Sequence, residues 1–136
     1  MNIWVWEYAK VAQSQNTART FVILSGQRVV AYYSLSAAAL DRKHLPSYLA
    51  IAAQHPVPVF LMGRLAVSLP FQGLGIGKSL VKDALKQTLD VRRKVAGIGL
   101  MVHTLTDDLR TFYQKQGFVM TAIKPNLLLL PFTAEN

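Results

Sequence analysis

The stretch Gln72-Gly73-Leu74-Gly75-Ile76-Gly77-Lys78 decides the fold of this chain, because a glycine-rich turn stands there between an apolar strand and an amphipathic helix. Upstream, residues 57–67 are mostly apolar, and downstream, apolar residues recur at helical spacing from Leu80 to Leu89. Glycines lack Cβ, so their backbone can adopt positive φ and approach an anion. The unpaired N–H groups at the start of the following helix point toward that anion. The stretch therefore predicts a cradle for a diphosphate.

Two other phosphate-binding loops share part of this pattern, and the spacing excludes both. A P-loop requires its first glycine where Gln72 stands, although Gly77-Lys78-Ser79 matches its end. A dinucleotide-binding fingerprint requires a third glycine where Leu80 stands, and an acidic residue at a strand end about 20 residues further on. The pattern that remains is Gln-x-x-Gly-x-Gly.

Together with Gly63-Arg64-Leu65-Ala66-Val67, this pattern resembles the acetyl-CoA motif of the GNAT family of N-acetyltransferases. A second block, Thr111-Phe112-Tyr113-Gln114-Lys115-Gln116-Gly117-Phe118, resembles the family's C-terminal helix and strand. The resemblance extends over residues 18–130. It implies an α/β (α+β) fold with one GNAT domain over residues 1–136 and a central mixed, mostly antiparallel sheet flanked by helices on both faces.

The resemblance also implies where acetyl-CoA, the co-substrate, binds. The backbone of the strand would hold the pantetheine arm like an added β-strand and polarise the thioester carbonyl. The coenzyme-binding residues implied in this way are Leu65, Ala66, Val67, Gln72, Gly73, Leu74, Gly75, Ile76, Gly77 and Lys78.

Tyr113 takes the position of the family's tyrosine general acid, near the coenzyme sulfur. A phenol with an ordinary pKa of about 10 is protonated at neutral pH and can donate as the thiolate leaves. A tyrosine can equally be a core anchor, and Tyr113→Phe separates the two interpretations. No general base is evident: Ser68 stands where relatives often carry Asp, and His103 could be a base or a structural residue. An acceptor with a depressed pKa, such as the α-amine of an aminoacyl ester, therefore fits better than a lysine side chain.

Composition is that of one ordinary domain: 136 residues, 51% of them hydrophobic. The chain has no Cys, and its three His show no ligand spacing, so no metal is expected. No apolar run is long enough for a membrane span or a signal peptide, which favours a cytoplasmic protein.

The net charge of +8 is more than coenzyme A requires, and it favours an RNA partner contacted through its phosphates. A solvated helix face is the alternative interpretation of the same residues. The candidate nucleic-acid contacts are Arg64, Lys82, Arg92 and Arg93, with Arg19 and Lys78 as further possibilities.

Within the family, the chain is most similar to the GNAT toxins of bacterial toxin–antitoxin pairs, through Ala18-Arg19-Thr20-Phe21-Val22 and Met101-Val102-His103 besides the blocks above. This similarity implies acetylation of the α-amine of aminoacyl-tRNA, which blocks translation, a homodimer, and a ribbon-helix-helix antitoxin. Two alternatives stay open: a GNAT enzyme for a small amine or a protein N-terminus, and an inactive relative that binds RNA or an antitoxin.

Local patterns predict the remaining elements. They are a helix within residues 4–15, a hairpin of strands 20–24 and 29–35, a short helix within 36–54, a strand at 99–104, a helix at 107–116 capped by Thr106, and strands at 118–123 and 127–132. Relatives usually carry about another strand and part of a helix before the point that corresponds to Met1, so the first strand of the family fold is expected to be missing. We therefore expect a shortened N-terminus, with a dimer or strand exchange covering the exposed edge.

Overall fold

The structure is a computed structural model that describes residues 4–8, 17–45, 56–121 and 124–133. The chain divides into two compact units, one of Met1–Ser36 with Met62–Gln87 and the other of Ala37–Leu61 with Thr88–Asn136. Among the described residues, no helix is long and apolar enough to cross a membrane.

The first unit is built on an antiparallel meander of β1 (Trp4–Tyr8), β2 (Arg19–Ser25) and β3 (Arg28–Leu40), of which β3 continues into the second unit. The predicted hairpin between β2 and β3 is confirmed, and Gly26 in its turn has φ 62°. The strand order in this unit is β1-β2-β3-β4, where β4 (Val57–Val67) is the strand that leads to the glycine turn.

The helix predicted within residues 4–15 is wrong for Trp4–Tyr8, which form strand β1, while residues 9–16 lie outside the described residues. The helical spacing of Trp4 and Tyr8 was the basis of the wrong prediction. The segment is rich in aromatic residues, which favour strands, and it pairs with β2 from Trp4↔Leu24 to Tyr8↔Thr20. Strand β1 is thus the first strand in the order of the described sheet.

The second unit has the strand order β3-β4-β5-β7-β6. Strand β5 (Gly99–His103) pairs parallel with β4 through Phe60↔Leu100 and Leu61↔Met101, whereas β7 (Leu127–Pro131) pairs antiparallel with both β5 and β6 (Val119–Met120). The sheet is therefore mixed and mostly antiparallel, as predicted. One cluster in its core consists of Leu40, Leu45, Val57, Val59, Met101, Leu127 and Leu129.

Two α-helices fall within the described residues: α1 (Ile76–Val91) follows the glycine turn, and α2 (Asp107–Lys115) follows β5. Both predictions are confirmed, and Thr106 caps α2 by accepting a hydrogen bond from the Leu109 N–H at 3.2 Å.

Two elements end at a distance of more than one residue from the predicted boundary. Strand β3 runs on to Leu40, and only a 3-10 turn at Arg42–His44 follows, because the small residues at 36–40 continue the alternation of a half-buried strand; residues 46–55 lie outside the described residues. Strand β6 is limited to Val119–Met120, and of the predicted strand at 118–123, residues 122 and 123 are likewise outside.

Candidate functional site

The glycine turn is held by its own first residues. After β4, a 3-10 turn at Leu69–Phe71 reverses the chain, and the Gln72 N–H donates to the Leu69 carbonyl at 3.1 Å. The side chain of Gln72 reaches back, and its Nε2 donates to the carbonyl of Val67 at 2.9 Å. Gln72 thus braces the turn against the end of β4.

Gly73 and Gly75 are the positions at which glycine is required. Their φ angles are 78° and 81°, in the left-handed region that costs other residues about 1–2 kcal/mol. A Cβ at either position would meet nothing within 4 Å, so open space lies beside this backbone. Gly77 lies in the first turn of α1 and does not have positive φ. The turn therefore offers an open, glycine-lined backbone surface.

The N-terminus of α1 gives this surface its electrostatic character. The N–H and the hydroxyl of Ser79 both donate to the Gly75 carbonyl, each at 3.1 Å. Helix geometry leaves the preceding N–H groups, those of Ile76, Gly77 and Lys78, without partners inside the helix. The first turn contains no acidic residue, and the Lys78 side chain is exposed beside it. The helix dipole, the free donors and the lysine together suit a diphosphate anion.

The other predicted coenzyme-binding residues lie on β4. Leu65, Ala66 and Val67 are half-buried and follow Leu61, the last β4 residue paired with β5. Their position on the strand leaves backbone groups for a ligand that adds like a strand. The structure thus brings this segment and the glycine turn together within the first unit.

Tyr113 lies in the second unit, on α2. Its side chain is 6% exposed, and its ring contacts Phe112 and Phe118 edge-on, with centroids 5.1 Å and 5.3 Å away. Among the described residues, its hydroxyl has no hydrogen-bond partner. Burial raises the pKa of Tyr113 to about 12, so the phenol stays protonated across the physiological range.

The ends of α2 fix the position of Tyr113. Thr106 caps the start, where Arg110 also pairs with Asp107 at 2.8 Å. Gly117, with φ 101°, ends the helix, and the Phe118 N–H donates to the Tyr113 carbonyl at 3.2 Å. An open cleft of about 210 Å³ at the start of α2 is lined by Thr104, Leu105, Thr106, Asp107, Arg110 and Asn126.

The candidate nucleic-acid contacts differ in their surroundings. Arg64, Lys82 and Arg93 are exposed, whereas the guanidinium of Arg92 lies over the ring of Phe132, 5.1 Å from its centroid. Arg92 therefore has a structural contact besides its charge. His103, a possible base from sequence, is the exposed residue of the otherwise buried strand β5.

One hydrogen bond in the first unit was missed by the sequence analysis. The Tyr33 hydroxyl, on β3, donates to Oδ2 of Asp83, on α1. The two residues are 50 positions apart, so no local pattern links them. The available signal was an acid three residues after Leu80, on the apolar face of the helix.

The strand that ends in a glycine turn at a helix N-terminus is the arrangement that the sequence predicted for binding a coenzyme diphosphate. Residues 16–120 match the family model described as an acetyltransferase (GNAT) domain. Over 116 residues the chain is 32% identical to the tRNA-acetylating toxin of Mycobacterium tuberculosis (strain ATCC 25618 / H37Rv), covering 85% of this chain and 70% of that protein. The chain therefore belongs to the GNAT acetyltransferase family.

Solved structures agree with this assignment. A crystal structure of a tyrosine-to-phenylalanine mutant of KacT superposes with a TM-score of 0.84 at 27% identity, covering 88% of this chain and 74% of that one. AtaT complexed with acetyl-methionyl-tRNAfMet gives a TM-score of 0.82 at 27% identity with the same coverage of both chains. AtaTR bound with AcCoA gives 0.74 at 28% identity, covering 88% of this chain and 73% of that one.

Proposed function

We propose that this chain is a toxin that transfers the acetyl group of acetyl-CoA to the α-amine of aminoacyl-tRNA and thereby blocks translation. Coenzyme binding is assigned to the glycine turn and the end of β4, and proton donation to Tyr113. Acetylation converts a nucleophilic amine into an amide, which leaves the charged tRNA without the group that attacks during peptide-bond formation.

The single observation that carries the chemistry is the environment of the Tyr113 side chain. Its ring contacts the rings of Phe112 and Phe118, yet its hydroxyl makes no hydrogen bond to the described residues. Tyr33, by contrast, is a core tyrosine whose hydroxyl is occupied by Asp83. A general acid requires a phenol that is positioned, protonated and not bound to another protein group, and within the described part of the chain Tyr113 meets these conditions.

The reaction balances without any further reactant. The amine nitrogen attacks the thioester carbon, the C–N bond forms and the C–S bond breaks. The nitrogen loses one proton, and the departing sulfur gains one. Tyr113 supplies a proton to the sulfur and regains one from the reaction, so the enzyme returns to its starting state. The N–H donors at the start of α1 hold the diphosphate and take no part in bond making.

The acceptor is assigned from charge and from the relatives. The net charge of +8 attracts a polyanion, and Arg64, Lys82 and Arg93 are exposed cations that could contact phosphates. The similar M. tuberculosis protein is named a tRNA-acetylating toxin, and AtaT has been solved with acetyl-methionyl-tRNAfMet. An α-amine, with an ordinary pKa of about 8, has an appreciable neutral fraction at physiological pH without a dedicated base, whereas a lysine side chain with a pKa of about 10.4 has almost none.

Two partners complete the proposal. AtaT has been solved bound to the C-terminus of the antitoxin AtaR, and KacTA has been solved in complex with DNA. By analogy, a small ribbon-helix-helix antitoxin would neutralise this chain, and the active form would be a homodimer. Light scattering on the purified protein measures the second point directly, and a monomeric mass would refute the dimer.

The test is transfer of labelled acetyl groups from acetyl-CoA to total charged tRNA, with native chain, Tyr113→Phe and Tyr32→Phe compared. Tyr32 is a half-buried neighbour on β3, so its substitution removes a phenol of no assigned role. Label on the aminoacyl α-amine that is lost only with Tyr113→Phe supports the proposal. If the acetyl group is transferred to small amines or protein N-termini instead, and the rate does not depend on salt concentration, tRNA is not the acceptor. Binding of RNA or antitoxin without any transfer would refute the enzyme.

A further inference from the structure

Strand β3 makes one hydrogen bond to the chain just before the glycine turn and another to the helix that follows the turn, all within the first unit. Before the turn, the Ser68 N–H donates to the carbonyl of Val30 at 2.8 Å. After the turn, Asp83 on α1 accepts the hydroxyl of Tyr33. Every residue of the turn and the whole first part of α1 lie between these two attachment points.

The attachment at Tyr33 is buried and packed against β2. Its side chain is 0% exposed and stacks on Phe21, its direct partner on β2, with ring centroids 5.1 Å apart and planes inclined by 12°. Burial, and then the bond to Asp83, raise the pKa of Tyr33, so the hydroxyl remains a donor at any physiological pH. A buried bond to a carboxylate is stronger than its exposed counterpart.

Apolar packing constrains the position of α1 along its axis less sharply than a directional hydrogen bond does. Leu80 and Ala84, each 0% exposed, determine which face of the helix is buried, but dispersion contacts have little directionality. A hydrogen bond to a fixed donor does have direction. Asp83 lies about 10 Å along the axis from Ile76, so a shift of the helix at Asp83 moves the N–H donors of its first turn equally.

We propose that Tyr33 and Asp83, together with the Ser68 N–H, are positioning residues that set the geometry of the diphosphate-binding turn. This inference rests on the proposed assignment of that turn to acetyl-CoA. None of these groups needs to touch the coenzyme. Their effect is to keep the donors at residues 76–78 within the few tenths of an ångström that a preorganised site requires.

The test compares the binding of coenzyme A with that of pantetheine, which lacks the diphosphate. Tyr33→Phe keeps the stacked ring and removes only the hydroxyl. We expect it to raise the Kd of coenzyme A about five- to tenfold, measured by calorimetry. The Kd of pantetheine, measured by competition, should change by about twofold or less. Tyr32→Phe is the matched control on the same strand and should change neither value.

A second variant tests the other attachment. Ser68 has φ −57°, within the range of proline, so Ser68→Pro replaces the N–H donor by a ring carbon and separates the backbone at Ser68 from the Val30 carbonyl. Ser68→Ala keeps that N–H and serves as the control, because the Ser68 hydroxyl makes no capping bond. Weaker coenzyme A binding with Ser68→Pro but not with Ser68→Ala supports the proposal.

Three outcomes would overturn it. If Tyr33→Phe lowers the Tm but leaves the Kd of coenzyme A unchanged, Tyr33 is only a stabilising residue. If Tyr33→Phe weakens coenzyme A and pantetheine equally, the effect is not on the diphosphate turn. If the native chain binds no coenzyme A, both this inference and the proposed function fail. Native chain that binds coenzyme A but does not acetylate charged tRNA refutes only the acceptor, and the binding comparison still decides the role of Tyr33.

Discussion

Tyr113 packs edge-on against Phe118 across the turn that ends α2, with ring centroids 5.3 Å apart and planes inclined by 65°. Phe118 is 2% exposed, and its N–H donates to the carbonyl of Tyr113. The same two residues are therefore joined by side chain and by backbone. This contact holds the ring of Tyr113 in place without using its hydroxyl.

Removing the Tyr113 hydroxyl should separate catalysis from stability. Because Tyr113→Phe keeps both ring contacts, we expect the Tm to stay within about 2 °C while kcat falls about 100-fold or more. Acetyl transfer at saturating acetyl-CoA and thermal unfolding measure the two effects. Native kcat in a folded Tyr113→Phe protein would show that another group, or water, protonates the sulfur.

The pH dependence of the reaction should contain no limb from Tyr113 below pH 10. Burial raises its pKa to about 12, so the active, protonated phenol is fully present below the ordinary value near 10 and is lost only as the pH rises toward 12. With an amide-linked aminoacyl-tRNA analogue that resists hydrolysis, we expect kcat/KM to rise as the α-amine deprotonates, up to about pH 8, and then to remain level. A decline below pH 10 that vanishes in Tyr113→Phe would contradict the assigned role.

Gly75→Ala should weaken coenzyme binding through the backbone alone. A Cβ there meets no atom within 4 Å, but φ 81° costs an alanine about 1–2 kcal/mol. We expect the Kd of coenzyme A to rise about tenfold as the turn relaxes away from this conformation.

Gly26→Ala is the matched control for Gly75→Ala. Gly26 also has positive φ, at 62°, and open space around it, but it lies in the hairpin turn between β2 and β3. Gly26→Ala should lower the free energy of unfolding about as much as Gly75→Ala does and leave the Kd of coenzyme A unchanged. Equal effects of the two substitutions on binding would mean that general destabilisation, and not the shape of the turn, governs affinity.

Arg92→Ala and Arg93→Ala should differ although the residues are adjacent. The guanidinium of Arg92 contacts the ring of Phe132, so its loss should lower the free energy of unfolding by about 1 kcal/mol. Arg93 is exposed, and we expect its loss to spare stability but weaken binding to charged tRNA and reduce the dependence of log K on log salt by about one. Denaturant unfolding measures the free energy of unfolding of both variants, and filter binding at several salt concentrations measures their affinity for charged tRNA. Unchanged tRNA binding with Arg93→Ala would remove Arg93 from the interface.

The sequence predicted the parts of the fold whose causes are local. Glycine spacing at Gly73 and Gly75 indicated positive φ, and Thr106 indicated the start of α2. These signals depend only on neighbours within a turn or two, so they survive in any tertiary context.

The sequence failed where a segment could adopt either structure. Trp4–Tyr8 shows helical spacing and strand composition at once, and pairing with β2 decides for the strand. The alanines at 37–39 favour a helix by propensity, yet they extend β3. In both cases pairing with the neighbouring strand determines the secondary structure, because pairing satisfies backbone donors and acceptors, and local propensity does not include that contribution.

The sequence by itself determined the family, the glycine turn and the tyrosine proposed as the acid, because each is written in short blocks of fixed spacing. Only the tertiary structure decided that the Tyr113 hydroxyl makes no hydrogen bond to the described residues while that of Tyr33 donates to Asp83. It also decided that the guanidinium of Arg92 lies over Phe132 while Arg93 is exposed. The physical reason is that hydrogen bonding and burial depend on residues that the fold brings into contact. Tyr33 and Asp83 are 50 positions apart in the sequence, so no local pattern predicts their hydrogen bond.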